Sequence, residues 1–427
     1  MRIRTSGLTR SEVLTEEAVK LVPYLDMNGQ EYVTTNALVY SKDEVEQLAA
    51  ASEAVHRIYM TALRYVQRYM PDEVIARELH VDDRLIPAAR MELPFHAIAR
   101  QDWIVYEGQL KVIENNADTP TGIPETFFIP QLLGTTAVYS EQAIDAALPV
   151  HAAEAFRQAV DYYRAAGLTG TIAFSCHQDH LEDYTNTRFL QYCAETAGIT
   201  SVFADLSELT VREGVGLFLG EERIDIWYRL YPLELLIEDR DSDGTPVGHH
   251  ILQLIEQGKL GIINPAHSIL MQSKSFYKLI WTLYEHNEAL NVFNDFEQSV
   301  ISRYFLPTYS TPERFLTHSV SYVEKAVFGR EGRGVTIAYV GDGGEVSRTF
   351  ANRLDDHDDY YNRQPKVYQR RTDMPQVELI VQGRCEHGYV LTGVYVIHGS
   401  FAGILTRVGG LITGDLAYFC SSLIEGE

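Results

Sequence analysis

The stretch that most restricts the fold is residues 100–122, RQDWIVYEGQLKVIENNADTPTG. Apolar and polar residues alternate with a period of two on both sides of Glu107-Gly108-Gln109, which predicts strands over 103–106 and 110–113 joined by a tight turn. A hairpin centred on Gly108 sets Asp102 opposite Glu114 and Arg100 opposite Asn116. These four polar side chains then share one face, in a row continued by Ile104, Tyr106, Leu110 and Val112.

Two carboxylates directly across a ladder, about 5 Å apart at Cβ, repel each other unless a cation sits between them. Two acid oxygens with an Asn carbonyl make a hard-oxygen set of the kind that holds Mg²⁺ while nucleotide phosphates complete the shell. Arg100 would stand beside such a metal, within reach of a phosphate oxygen. The same pattern also suits an exposed hairpin whose polar face meets water. The following ADTPTG is a small, hydroxyl-rich turn open to close ligand approach.

The rest of the chain is built around this hairpin. Residues 41–70 read as one long helix, with Ser41 and Glu44 at capping-box spacing and Val45, Leu48, Val55, Ile58, Ala62, Val66 and Tyr69 on one stripe. From about 170 the pattern becomes β-α-β: TIAFS, a helix over 181–197 stopped by Gly198, then SVFADL, hence a parallel α/β layer. VGLFLGEERIDIWYRL reads as a hairpin, and SKSFYKLIWTLYE as a helix with Phe276, Leu279, Ile280 and Leu283 inward. Beyond 320 the chain is β-rich, with a hairpin over VTIAYVGDGGEVSR turning at Asp342-Gly343. The fold class is therefore mixed α/β and α+β.

A second informative segment is YVEKAVFGREGRGVTIAYV, residues 322–340. A strand carrying Lys325 enters a loop with Gly329, Gly332 and Gly334 and leaves as another strand. Backbone N–H groups of such a loop can cradle phosphates, though a flexible hairpin would look the same. It is not a P-loop, because no helix and no GK[ST] follow.

Taken together, these motifs resemble the synthetase domain of glutathionylspermidine synthase, a member of the ATP-grasp ligases. RQD followed by ENNAD resembles that family's metal motif, SKSFYKLIW its lysine-led helix, EKAVFGREG its Lys-x-x-x-Gly-Arg strand and loop, and ILTRVGGLIT its late arginine strand. The likeness runs from about residue 80 to the C-terminus in a consistent order. It implies an ATP-grasp-like fold with a parallel α/β (pre-ATP-grasp) lobe. The corresponding division is 1–165 for N-terminal helices and the hairpin, 166–265 for an α/β substrate lobe, and 266–427 for a nucleotide-binding lobe.

The resemblance also implies roles. Asp102, Glu114 and Asn116 would hold Mg²⁺. Lys274, Lys325, Gly329, Gly332 and Gln369 would contact ATP. Arg100 and Arg407 would neutralise the transferred phosphate, and Glu182 and Asp183 would hold an amine, such as a polyamine. The implied reaction activates the carboxylate of a small peptide or amino acid as an acyl phosphate and couples it to that amine. The motif ENNADTPT is nearer to stand-alone relatives than to polyamine-coupling ones. No cysteine-dependent amidase module is recognisable, so amide hydrolysis is not expected.

Other residues have plainer roles open to them. Cys176, His177 and His180 could form a nucleophile or zinc site, but no oxyanion motif accompanies them. His249-His250 suits a loop or helix start. Arg229 and Glu234 are substrate-side candidates, and Asp355, Asp356, His357, Asp358 and Asp359 read as a solvated loop.

Charge narrows the partners. Lys and Arg number 36 against 59 Asp and Glu, a net charge of −23, which argues against nucleic acid and anionic membranes. No apolar run approaches the roughly 18 residues of a membrane span. The N-terminus carries Arg2, Arg4 and Arg10 without an apolar core, unlike a secretory signal. The four scattered cysteines suit reduced thiols, so a cytoplasmic location is expected.

Overall fold

The computed structural model describes all residues except 6, 8, 28, 137–138, 342, 351–358 and 427. The turn residue Asp342 and the run Asp355, Asp356, His357 and Asp358 lie outside the described residues, and Asp359 opens a short helix, Asp359–Arg363. The architecture is the mixed α/β one expected, resting on three larger sheets.

The nine-stranded sheet joins both ends of the chain. Its order is Arg2–Arg4, Val33–Tyr40, Tyr418–Ile424, Ser400–Gly409, Arg384–Ile397, Ile98–Tyr106 and Gln109–Asn116, with Gln376–Val381 and Gln142–Ala143 attached at its sides. Tyr418–Ile424 runs parallel to Val33–Tyr40, which on its other edge pairs with Arg2–Arg4, so a single strand separates the first strand from the last. The long helix Lys42–Tyr69 packs on this sheet. Ser41 Oγ accepts from Glu44 N while the Glu44 carboxylate accepts from Ser41 N, which satisfies orphan donors of the first turn. Its buried stripe includes Leu48, Val55, Ile58, Ala62 and Val66, as the spacing predicts. Tyr69 is the exception, exposed at the helix end.

The hairpin departs from the expected register near its turn. Arg100 pairs with Asn116 and Asp102 with Glu114, but Trp103 then pairs with Val112 and Tyr106 with Gln109. One extra residue, Ile113, is a bulge between them. The loop is accordingly the two-residue turn Glu107-Gly108, with φ of 50° and 73°, as the primed turns of tight hairpins require. The bulge corrects the expected row: Ile104 and Tyr106 are matched by Lys111 and Gln109, not by Val112 and Leu110. Val112 faces the other way and is buried with its partner Trp103.

The second sheet is the parallel layer. Thr171–Cys176 lies between Val202–Asp205 and Glu222–Arg229, parallel to both, and Gly261–Ile263 extends the parallel order. The crossover helix Leu181–Thr196 packs on Thr171–Cys176, and Gly216–Leu219 forms the expected hairpin with Glu222–Arg229. The third sheet is antiparallel, in the order Thr308–Tyr309, Lys366–Arg370, Tyr322–Ala326, Thr336–Val340 and Val346–Phe350. The helix Lys274–Glu285 buries Phe276, Leu279, Ile280 and Leu283 beside it. Among the described residues no helix is long and apolar enough to cross a membrane.

Candidate active site

One cavity of about 400 Å³ is walled by the nine-stranded sheet, by the antiparallel sheet and, from the parallel lobe, by the start of the helix Leu181–Thr196 with Leu230 and Pro232. Arg100, Asp102, Glu114, Asn116, Glu182, Asp183, Lys274, Lys325, Gly329, Gly332, Gln369 and Arg407 all line it. The residues picked out in the sequence are therefore brought together, although they come from widely separated segments.

The hairpin supplies the floor. Asp102 is buried between two guanidiniums, with Arg100 Nε 3.1 Å from Oδ1 and Arg407 Nη2 3.3 Å from Oδ2. Burial alone would raise its pKa. Arg100 and Arg407 outweigh that and keep the carboxyl below its ordinary range. The neighbouring strand has Gly393 opposite Asp102, where an added Cβ would lie 3.1 Å from Arg100 Cδ. Glycine thus leaves room for the arginine. Arg100 is steadied further by donating to Thr121 O at 3.1 Å, and Asn116 Nδ2 donates to Arg100 O at 3.3 Å.

Two lysines close the next side. Lys274, at the start of its helix, lies 3.0 Å from Glu114 Oε1 and donates to Gly329 O at 2.6 Å. Lys325 Nζ donates to Gln369 Oε1 at 2.8 Å and to Ile113 O at 3.0 Å. The latter carbonyl belongs to the bulge residue, which has no partner across the ladder, so the register shift provides this acceptor. Burial lowers the Lys325 pKa to about 8.

The glycine loop forms a cover. Gly332 has φ of 69°, and a Cβ there would sit 2.7 Å from Thr413 O. Close backbone approach to the 411–414 segment explains this glycine. Arg330 in the same loop pairs with Glu234 Oε1 at 2.6 Å, reaching across to the parallel lobe.

Sequence reasoning missed the groups that anchor the ENNADTPTG turn. Asp118 and Arg229 form a fully buried pair at 2.5 Å. The same carboxylate accepts from Ser268 Oγ at 2.6 Å and from Leu233 N at 2.9 Å. Gln272 Oε1 accepts from Ala117 N and Asp118 N, and Asn264 Nδ2 donates to both of their carbonyls. Arg229 was a substrate-side candidate; its burial against Asp118 makes it an anchor of the turn instead. Glu234 is engaged by Arg330 beside the cavity.

The opposite end is acidic. Glu182 and Asp183 begin the helix Leu181–Thr196, with His180 Nδ1 3.4 Å from Asp183 Oδ2. Burial, then the negative charges of Glu125, Asp183 and Glu331, push the Glu182 pKa up to about 8. Glu125, also missed, is completely buried and accepts from the hydroxyls of Tyr24 and Tyr32, each at 2.7 Å. Its position in the first turn of the helix Ile123–Gly134 was a visible cue, but no spacing links it to the two tyrosines.

Cys176 does not act as a nucleophile in this arrangement. It is buried, and burial pushes its thiol up to about 11. Among the described residues, no group of three or more His, Cys, Asp or Glu is arranged to hold a metal, which removes the zinc alternative at Cys176, His177 and His180.

Comparison with known proteins yields three findings. The family described as "Glutathionylspermidine synthase preATP-grasp" matches residues 12–425. A Haemophilus influenzae protein named "Putative acid--amine ligase" is 24% identical over 315 residues, covering 73% of this chain and 66% of that relative. A solved structure of a glutathione synthetase-like effector from Globodera pallida, in its apoform, superposes with a TM-score of 0.57 at 11% identity, covering 98% of each chain. That likeness establishes the shared fold.

Proposed function

We propose a function on one premise: the chain belongs to the glutathionylspermidine synthase preATP-grasp family. On this reading it is an ATP-dependent carbon–nitrogen ligase. It activates the carboxylate of a small peptide or amino acid and joins it to an amine. The observation that carries the reading is the composition of the cavity. In a chain of net charge −23, Arg100, Lys274, Lys325 and Arg407 converge on one wall, and Glu182 and Asp183 stand on another. The first group suits polyphosphate and the second an ammonium.

The donor set fits Mg²⁺. Asp102, Glu114 and Asn116 offer hard oxygens on one face of the hairpin, and both carboxylates already draw cations in the protein alone. When bound, the metal would supply charge neutralisation at the phosphates. The protein's own groups do the rest. Lys274 and Lys325 hold ATP, a substrate of the reaction, with Gln369 and the Gly329–Gly332 backbone beside it. Arg100 and Arg407 offset charge on the phosphoryl group as the substrate carboxylate attacks it. The amine then displaces phosphate from the acyl phosphate and leaves an amide. Catalysis here is positioning and electrostatics, so no protein nucleophile is needed.

The named relative favours acid–amine chemistry without specifying a polyamine, so an amine other than a polyamine is the second reading. A cytoplasmic location and the division at about 165 and 265 belong to the same proposal. The test is ADP release from purified protein, Mg²⁺ and ATP against a panel of acids and amines. ADP is expected only when both an acid and an amine are present, and Asp102→Asn is expected to abolish it with the circular dichroism unchanged. Nucleotide binding without turnover across the panel would favour a non-catalytic regulator.

A further inference from the structure

A guanidinium offsets charge on a transferred phosphoryl group only if its plane is fixed before the group arrives. Resting on the ligase reading above, we propose that Tyr395 is a positioning residue for Arg100, acting through the carbonyl of Thr121, to which both side chains donate.

The strand Arg384–Ile397 sets Tyr395 opposite Arg100 and Gly393 opposite Asp102. Tyr395, Arg100 and Asp102 therefore share one face of the sheet. With no side chain at Gly393 in its way, Arg100 reaches Asp102 Oδ1 through Nε, at 3.1 Å. Its Nη1 donates to Thr121 O at 3.1 Å, and the Tyr395 hydroxyl donates to the same oxygen at 2.7 Å. A carbonyl oxygen has two lone pairs, so one acceptor serves both donors.

Thr121 belongs to neither a helix nor a strand, so no ladder sets the direction of its carbonyl. The Asp118 contacts hold the turn on one side. On the other, Gly122 has φ of 88°, and a Cβ there would lie 2.9 Å from the Tyr395 hydroxyl oxygen. The turn passes so close to the phenol that glycine is required, and the hydroxyl in return fixes the carbonyl. Burial pushes the Tyr395 pKa above the ordinary tyrosine range, so the hydroxyl keeps its proton and stays a donor.

Arg100, Thr121 and Gly122 line the cavity, whereas Tyr395 is wholly buried behind them. Tyr395 thus acts on a substrate only through those neighbours. Held at Nε by Asp102 and at Nη1 by Thr121 O, the guanidinium has its plane set, and Nη2 remains to meet a phosphoryl oxygen. Without the hydroxyl, the Thr121 carbonyl is free to turn away. Arg100 then keeps Asp102 alone, a contact about which its plane can rotate.

The test follows the Arg100 Nε–H by NMR in the full chain labelled with ¹⁵N at arginine, without ligands. Its signal is assigned by loss in Arg100→Lys, and that of Arg407 by loss in Arg407→Lys. In Tyr395→Phe, hydrogen exchange at Arg100 is expected to quicken roughly tenfold, while Arg407, which also pairs with Asp102, keeps its rate. Should Tyr395→Phe not fold, Gly122→Ala pushes the turn off the hydroxyl and is expected to give the same selective change. In turnover, Tyr395→Phe is expected to lower kcat about tenfold with the KM for ATP unchanged, and to add nothing in the Arg100→Lys background. Unchanged exchange at Arg100, equal quickening at Arg407, or a kcat loss that adds in full to that of Arg100→Lys would overturn the proposal. The selective exchange result without ADP release by the unmutated protein on any acid and amine would instead overturn the ligase reading, and the catalytic consequence with it.

Discussion

Lys274 Nζ lies 3.0 Å from Glu114 Oε1 and also donates to Gly329 O, so one ammonium ties the hairpin to the glycine loop. Both partners line the cationic end of the cavity. Replacing Lys274 with Met removes a buried cation and both contacts. Turnover at saturating ATP is expected to fall by roughly 10²-fold, with the KM for ATP raised. Steady-state kinetics checks this, and an unchanged KM would place Lys274 outside the nucleotide site.

Gly332 carries a similar expectation for the cover. Its φ of 69° and the 2.7 Å approach to Thr413 O leave no place for a methyl group. Gly332→Ala is expected to displace the loop from the 411–414 segment. The KM for ATP should rise several-fold while the melting temperature changes little, since the strain falls on a surface loop.

The Asp118–Arg229 pair is where stability and activity meet. Both side chains are wholly buried, and removing one leaves an uncompensated charge that costs about 3–5 kcal/mol. Arg229→Leu is expected to lower the melting temperature by at least several degrees. Because Asp118 also holds Leu233 N and Ser268 Oγ, turnover should fall as well. Calorimetry and the ADP assay together check both effects.

A buried histidine group gives a pH prediction. His56, His96 and His267 stand in a row with their rings tilted to one another, the centroids 6.3 and 5.7 Å apart. Burial holds His56 and His267 at about 4, and holds His96 well below its ordinary value. Unfolded imidazoles take up protons near 6.5, so stability is full above that value. It is lost as pH falls from about 6.5 towards 4, by an amount on the order of a few kcal/mol. Melting temperature measured from pH 8 to 4 should drop through that window, and a flat profile would contradict the assignment.

Much of the cationic end of the cavity was legible in the sequence because the hairpin's alternation sets which residues face each other. The pairs Arg100–Asn116 and Asp102–Glu114 follow from it. The bulge at Ile113 did not follow, because a single inserted residue leaves no mark in a period-two pattern. It nevertheless decides where Lys325 hydrogen-bonds. Arg229 was misread because its partner Asp118 lies far off in the chain and nothing in WYRLYPLELL shows that its charge is already taken. Glu125 stayed hidden for the same reason: Tyr24 and Tyr32 reach it only through the tertiary fold. Local periodicity reveals faces, while buried polar partnerships depend on contacts between elements.

The central claim is that the substrate carboxylate is activated by phosphoryl transfer from ATP. Its most direct test is turnover of a panel acid labelled with ¹⁸O in its carboxylate, with mass analysis of the released phosphate. The account predicts one ¹⁸O in each phosphate formed, in step with ADP and amide. Unlabelled phosphate accompanying amide formation would contradict it.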